Sequence, residues 1–281
     1  MPRLEFDRDA LRAALEREGR HVAALLCDGA PMDAPAPGLA WCSGQLAAHL
    51  SLVCLAFTAA LRGERLGLDF GPDRATLPET LAAANARALQ EVSFSTGAEA
   101  ADGLTAGLAG LLTALDARDD LHAPCGTPWY GGRMSFAAGT LMALAGSELL
   151  VHGRDLALAL GRETRPGPER RASAAAVAGT VMSGMLPHLL DPARARGLDA
   201  CFEVRIRGGQ RFLLRVADGT ARSEAVDGSE ADCVLSLAGY SALLVGFRRI
   251  PLWRAIATGQ ALSYGRRAWL GPRFSGYFLA A

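Results

Sequence analysis

Glu148 and His152 stand four residues apart in a stretch with helical periodicity, so both side chains project from one helix face about one turn apart. Ligand pairs at this spacing can grip a divalent cation from a single helix. Asp155 follows His152 by three residues on that face and is placed to orient its imidazole, as carboxylates behind metal-bound histidines do. His49 lies near the middle of a separate uncharged run, Ala34 to Leu61. Should both segments belong to one bundle, the three side chains can meet inside it as a His-Glu-His set with an open fourth position. Taken singly, they also allow plainer readings, with each histidine a hydrogen-bonded core residue and Glu148 the partner of an arginine. All 29 basic residues are arginine, so lysine Schiff-base chemistry is excluded.

The elements that must position these residues follow from periodicity and punctuation. Leu11, Leu15, Val22, Leu25 and Leu26 recur at helical spacing and predict a first helix over Asp7 to Cys27, broken by Pro31 to Gly38. A second helix is expected from Ser43 to Leu61, two shorter ones near Pro78 to Val92 and Ala100 to Ala117, and a long one from Ser135 to Leu160 after the loop Asp119 to Arg133. Four main helices make an antiparallel bundle. Arg162 to Pro168 reads as a linker, and Ala172 to Leu190 as a further helix. After Gly197 the period changes to two: Phe202, Val204 and Ile206 alternate with Glu203, Arg205 and Arg207, and Gly208-Gly209 and Asp218-Gly219 supply hairpin turns. A strand near Cys233 to Leu237, short helices around Tyr240 to Phe247 and Leu252 to Thr258, a strand at Leu262 to Tyr264 and a closing helix complete the chain. The expected fold class is α plus α/β, with a four-helix bundle over 1–165 and a smaller α+β domain over 166–281.

The 281 residues are 50% hydrophobic and 21% charged, enough for a large core and unlike a disordered or collagen-like chain. Net charge is zero, which argues against a nucleic-acid binder with a strongly basic surface. The charge is uneven, however: no acidic residue follows Asp232, and the 49 residues from Cys233 carry six arginines, Arg248, Arg249, Arg254, Arg266, Arg267 and Arg273. Six scattered cysteines form no CxxC, and the opening MPRLEFDRD has no apolar signal region, so a reduced cytoplasmic protein is expected. The uncharged runs 34–61 and 172–190 contain proline, histidine, serine and much alanine, and are expected to be buried rather than inserted into a membrane.

Pro37-Gly38-Leu39-Ala40-Trp41 with Leu46-Ala47-Ala48-His49-Leu50, and Glu148 through Ala157 (ELLVHGRDLA), resemble two segments of the mycothiol-dependent maleylpyruvate isomerase family. That family belongs to the DinB-like metal-binding bundles, which also include bacillithiol and other thiol S-transferases. The resemblance implies His49, Glu148 and His152 as ligands of a divalent metal, usually zinc, and mycothiol as co-substrate. From Cys201 on, the meander, the string Ala231 to Leu235, Gly259 and Gly265 are similar to sterol-carrier-protein-like domains, which the family also carries at its C-terminus. Together the two likenesses cover nearly the whole chain. The sequence departs from the pattern at Cys42, where a Thr N-cap is usual, at Gln45, where an acidic residue would complete the capping box, and in lacking a clear "WL.GR" string. Cys42 precedes His49 by seven residues and could be a further ligand, a redox-sensitive neighbour or a buried structural thiol.

The implied reaction needs no protein nucleophile. The metal-stabilised thiolate adds to an electrophilic, anionic small molecule, either isomerising a cis di-acid such as maleylpyruvate or remaining attached as in S-transfer. The acid-free arginines suit such a substrate. Arg133, just ahead of the metal-bearing helix, is the expected carboxylate anchor, with Trp129 and Asn85 as walls of the binding space. A monomer without nucleic-acid partner is expected. Two rival functions remain: a metal-binding regulatory protein, and a non-catalytic lipid or small-molecule carrier whose tunnel would be lined by Leu243, Leu244, Phe247, Ile250, Trp253 and Ile256.

Overall fold

The structure, a computed structural model, describes residues 4–27, 29–132, 134–162 and 164–279. It combines helices with a sheet, and the chain divides into two compact units, Arg8–Ser173 and Ala174–Ala281 together with the residues before Arg8. The boundary falls inside one helix.

In the first unit, α1 (Arg8–Cys27), α2 (Ser43–Arg62), α4 (Gly97–Asp116) and α5 (Ala138–Ala159) form the bundle, with α1 and α2 each packed against both α4 and α5. The amphipathic α1 buries Leu11, Leu15, Val22 and Leu26 and leaves its charges outside. By contrast, α2 and α5 are apolar nearly all round and buried on most of their circumference, which brings any polar residue they carry into the interior. Of the helices, α2 is long and apolar enough to cross a bilayer, and 78% of its apolar window is buried within the fold. Gly63 ends it in the left-handed region at φ 71°, its N–H reaching back to Ala60 O. The short α3 (Leu77–Ala88) starts at a Thr76 cap with Glu79 completing the box, and α4 at a Thr96 cap.

One expectation is corrected here. Ser135–Ala137 is not the first turn of the long helix but strand β2, paired antiparallel with β1 (Pro124–Gly126), and α5 begins at Ala138. A single 3-10 turn, Pro128–Tyr130, stands between the two strands.

One buried ion pair ties the start of α6 (Pro168–Leu189) to the bundle. Arg170 Nε donates to Glu18 Oε2 at 2.9 Å and its Nη2 to the Leu150 carbonyl at 3.2 Å, with Glu18 fully buried.

The second unit is a five-stranded sheet in the order β5-β4-β3-β6-β7, from β3 (Ala200–Arg207), β4 (Arg211–Ala217), β5 (Thr220–Glu224), β6 (Cys233–Ala238) and β7 (Ala261–Tyr264). Only β3 and β6 among these run parallel. Phe202, Val204, Phe212 and Leu214 form the inner face, with Phe274 of the C-terminal segment edge-on to Phe202 and Phe278 tilted against Phe274. That segment, Ala268–Tyr277, is 3-10 rather than the expected α-helix, with Pro272 inside it removing a donor. The stripe from Leu243 to Ile256 does not line one tunnel. Leu243 and Leu244 on α7 (Gly239–Gly246) are core, whereas Trp253 and Ile256 on α8 (Leu252–Ala257) face outward. Arg248 at φ 57° and Pro251 break the helical period between them.

Candidate metal centre

The loop 31–42 sets the entrance to α2. Ser43 N donates to Ala34 O, Gly44 N to Met32 O, and Ala36 N to Trp41 O, folding the loop back on itself. Gly44 is required there, since a Cβ would lie 2.8 Å from Met32 O. Cys42 caps the helix through its backbone, donating its N–H to Gln45 Oε1 at 3.0 Å, so Gln45 supplies the half of the box expected of an acid. The result places the Trp41 ring 5.0 Å from that of His49 and 5.8 Å from that of His152, measured between centroids.

His49 from α2 meets Glu148 and His152 from α5. Glu148 Oε2 lies 3.2 Å from His49 Nε2 and 3.1 Å from His152 Nε2, and one donor atom from each of the three falls within 4.8 Å of the others. The two imidazoles stand edge to face with centroids 4.9 Å apart. On the far side of its ring, His152 Nδ1 lies 3.1 Å from Asp155 Oδ2, and the Asp155 side chain is 1% exposed. Glu148 keeps 15% of its side chain exposed against 8% and 7% for the imidazoles, so the site opens on the carboxylate side.

The electrostatics are those of a cation site holding a proton. Burial raises the Glu148 carboxyl, but hydrogen bonds from His152 and His49 outweigh it and hold it well below the usual carboxylate range. Burial lowers His152, yet Asp155 and Glu148 together bring it up to about 8. His49, for which burial dominates and the neighbouring His152 adds repulsion, is pushed down. The opposed shifts favour the positive charge on His152 over His49.

The donor set fits a metal. An ion with four bonds of about 2.1 Å in tetrahedral array separates its donors by about 3.4 Å, close to the spacings around Glu148 Oε2. Two neutral imidazoles and a carboxylate are the ligand types of catalytic rather than closed structural zinc sites. Among the described residues no fourth side chain joins the three, and Cys42 is not part of the group.

Of the other expected site residues, Trp129 is buried, its ring stacked on Phe57 at 5.3 Å and tilted against Phe70 at 5.7 Å. Its Nε1–H is buried, with the Tyr130 hydroxyl as its neighbour. Asn85 is half-buried on α3, which packs against the 3-10 turn carrying Trp129; among the described residues it has no hydrogen bond to the three donors. Arg133 lies outside the described residues. The C-terminal arginines do not act as one group: Arg266 pairs with Asp232 at 2.6 Å and Arg267 lies 3.8 Å from it. Two neighbours of the site were not anticipated. Trp41 was visible only as part of a motif. Tyr130 is buried between Trp129 and Phe136, and its phenol is pushed up by burial and by the charge of Glu148, so it stays a neutral donor.

No family model matches the chain, and no curated protein matches it by sequence. Among solved structures, a histidine-to-alanine variant of the mycothiol-dependent maleylpyruvate isomerase matches with TM-score 0.53 at 12% identity, over 92% of this chain and 93% of that one. The unsubstituted isomerase matches with TM-score 0.51 at 12% identity over the same shares. The likeness is one of fold.

Proposed function

We propose that the protein is a metal-dependent enzyme in which His49, Glu148 and His152 hold a divalent cation, zinc in the first instance, and a low-molecular-weight thiol, mycothiol, acts on an electrophilic small molecule. The observation that carries this reading is the convergence of three donors from two separate helices on one buried point. Its bundle-plus-sheet fold, shared with an isomerase that depends on mycothiol, supports the choice of thiol and of reaction.

When bound, the cation supplies charge that stabilises a coordinated thiol as thiolate at neutral pH. The chain's own residues do the rest. Asp155 accepts from His152 Nδ1–H and so fixes the tautomer that turns Nε2 toward Glu148. Trp41 packs across both imidazoles and limits water there. The exposed edge of Glu148 marks the approach for the thiol. The neutral phenol of Tyr130 is a donor for a substrate carbonyl or carboxylate. In an isomerisation the thiol sulfur bonds to one alkene carbon of a cis di-acid, the former double bond turns as a single bond, and cleavage of the C–S bond restores the alkene as trans and returns the thiol. In S-transfer the C–S bond is kept. Cys54 is no substitute nucleophile, since burial pushes its thiol up to about 12. The unit from Ala174 onward is read as a sterol-carrier-protein-like domain, and the protein as a cytoplasmic monomer.

The test is a calorimetric titration of mycothiol into zinc-loaded protein, with His152→Ala in parallel and metal content measured by mass spectrometry. One zinc per chain and thiol binding that vanishes in the variant are expected. Full metal loading without thiol binding overturns the proposal.

A further inference from the structure

The most exposed large apolar side chains of the second unit cluster on three elements that pack on one another: Trp253 and Ile256 on α8, Leu262 and Tyr264 on β7, and Trp269 on the closing 3-10 segment. Trp253 is 69% exposed and Trp269 58%. These are not misplaced core residues. The inward positions of the same elements are filled by Ala255, Ala261, Leu270 and Phe274, and Ser263 turns to the opposite face of β7, under Gly271. Since β7 is the last strand of its sheet, Leu262 and Tyr264 stand at a free edge.

The net charge around these residues is positive, although Arg205 is held by Glu203 and Arg266 by Asp232. Arg248, Arg254 and Arg273 are exposed and have no acidic partner among the described residues, and no acid occurs in the chain after Asp232. Arg205 lies over the Tyr264 ring, 5.8 Å from its centroid, and donates to its hydroxyl, while Arg207 donates to the Gly259 and Gln260 carbonyls between α8 and β7.

We infer that this surface adsorbs to an anionic lipid bilayer, with Trp253, Trp269 and Tyr264 in the headgroup layer and the arginines against lipid phosphates. Tryptophan and tyrosine concentrate at membrane interfaces, where the ring is half dry and its N–H or O–H stays wet. A second copy presenting the same face would set arginine against arginine, so self-association through it is disfavoured. The aromatic rings protrude instead of lining a groove, which suits a deformable lipid surface better than a rigid protein partner. At six residues α8 cannot span, so the contact lies in the plane of the membrane. This inference is independent of the chemistry at His49, Glu148 and His152.

Co-sedimentation of the full chain with phosphatidylglycerol–phosphatidylcholine vesicles, and with pure phosphatidylcholine vesicles as comparison, tests it. Binding is expected on the anionic vesicles alone, weakening steeply with salt. Tryptophan emission should shift to the blue on binding; Trp41 and Trp129, which are half-buried and buried, contribute little to such a shift. Arg254→Gln with Arg273→Gln should weaken binding at least tenfold, at roughly fivefold per arginine. Trp253→Ala with Trp269→Ala should abolish the blue shift, and zinc uptake should stay unchanged in both double variants. Absence of binding to anionic vesicles, equal binding to neutral ones, or unaltered binding by either double variant overturns the inference.

Discussion

Asp155→Asn separates the two ways in which Asp155 would act on the candidate metal centre. The substitution keeps shape and volume at a fully packed position but removes the charge 3.1 Å from His152 Nδ1. Loss of such an outer carboxylate typically lowers metal affinity by about 10- to 100-fold. It also releases the competing proton. With His152 at about 8, a proton on this ring weakens apparent metal binding of the native protein by roughly a hundredfold at pH 6 and hardly at all at pH 8.5. Burial already pulls His152 down, so without Asp155 its pKa falls below the native value and the penalty at pH 6 shrinks. The deficit of the variant should therefore be smaller at pH 6 than at pH 8.5. Competition against a chromogenic chelator at both pH values measures it, with circular dichroism confirming the fold. Equal deficits at the two pH values, or a deficit under about threefold at pH 8.5, would refute the assignment of Asp155.

Glu148→Gln should lose stoichiometric zinc by mass spectrometry, because neither imidazole retains the carboxylate oxygen shared between them at 3.1 and 3.2 Å; one zinc retained per chain contradicts this. In the metal-free protein the raised His152 contributes stability that is complete below about pH 6.5 and lost as pH rises through about 8, so the melting-temperature advantage of wild type over His152→Gln should narrow from pH 6 to pH 9, and an advantage that widens refutes it. Trp129→Ala should cost about 3–5 kcal/mol in urea unfolding through loss of its stack on Phe57, whereas Trp129→Phe should cost under about 1.5 kcal/mol; similar losses for both would contradict the packing argument. Gly97→Ala brings a Cβ to within 2.2 Å of Leu26 O, so it should destabilise by about 1–3 kcal/mol despite alanine's better helix propensity, as urea melts would show.

Helix existence and the facing of Glu148 and His152 were legible because both are written in local periodicity. The i, i+4 step from Glu148 to His152 is meaningful only on a helix, and α5 runs through it without interruption. His49, 99 residues from Glu148, could be joined to them only through the bundle, whose packing of α2 on α5 the apolar patterns implied. What stayed hidden depends on pairing or direction instead of period. Three residues suffice for β2, and its partner Pro124–Gly126 gives no local signal. Trp41 is aimed by backbone bonds of the loop 31–42, and Tyr130 feels Glu148 only through the folding of its 3-10 turn toward the interior. Membership of Arg170 in the first unit was equally invisible, since its partner Glu18 lies 152 residues away.

That last pair bears on how the chain can be divided. A fragment ending at the 162–168 linker looks like a natural bundle, but it would strip Glu18, fully buried in the whole chain, of its partner Arg170. It would also free the Leu150 carbonyl, two residues before His152. A division that keeps this pair intact therefore runs through Ser173, inside α6, and an exchange of modules by recombination calls for an incoming helix with its own cation at that position.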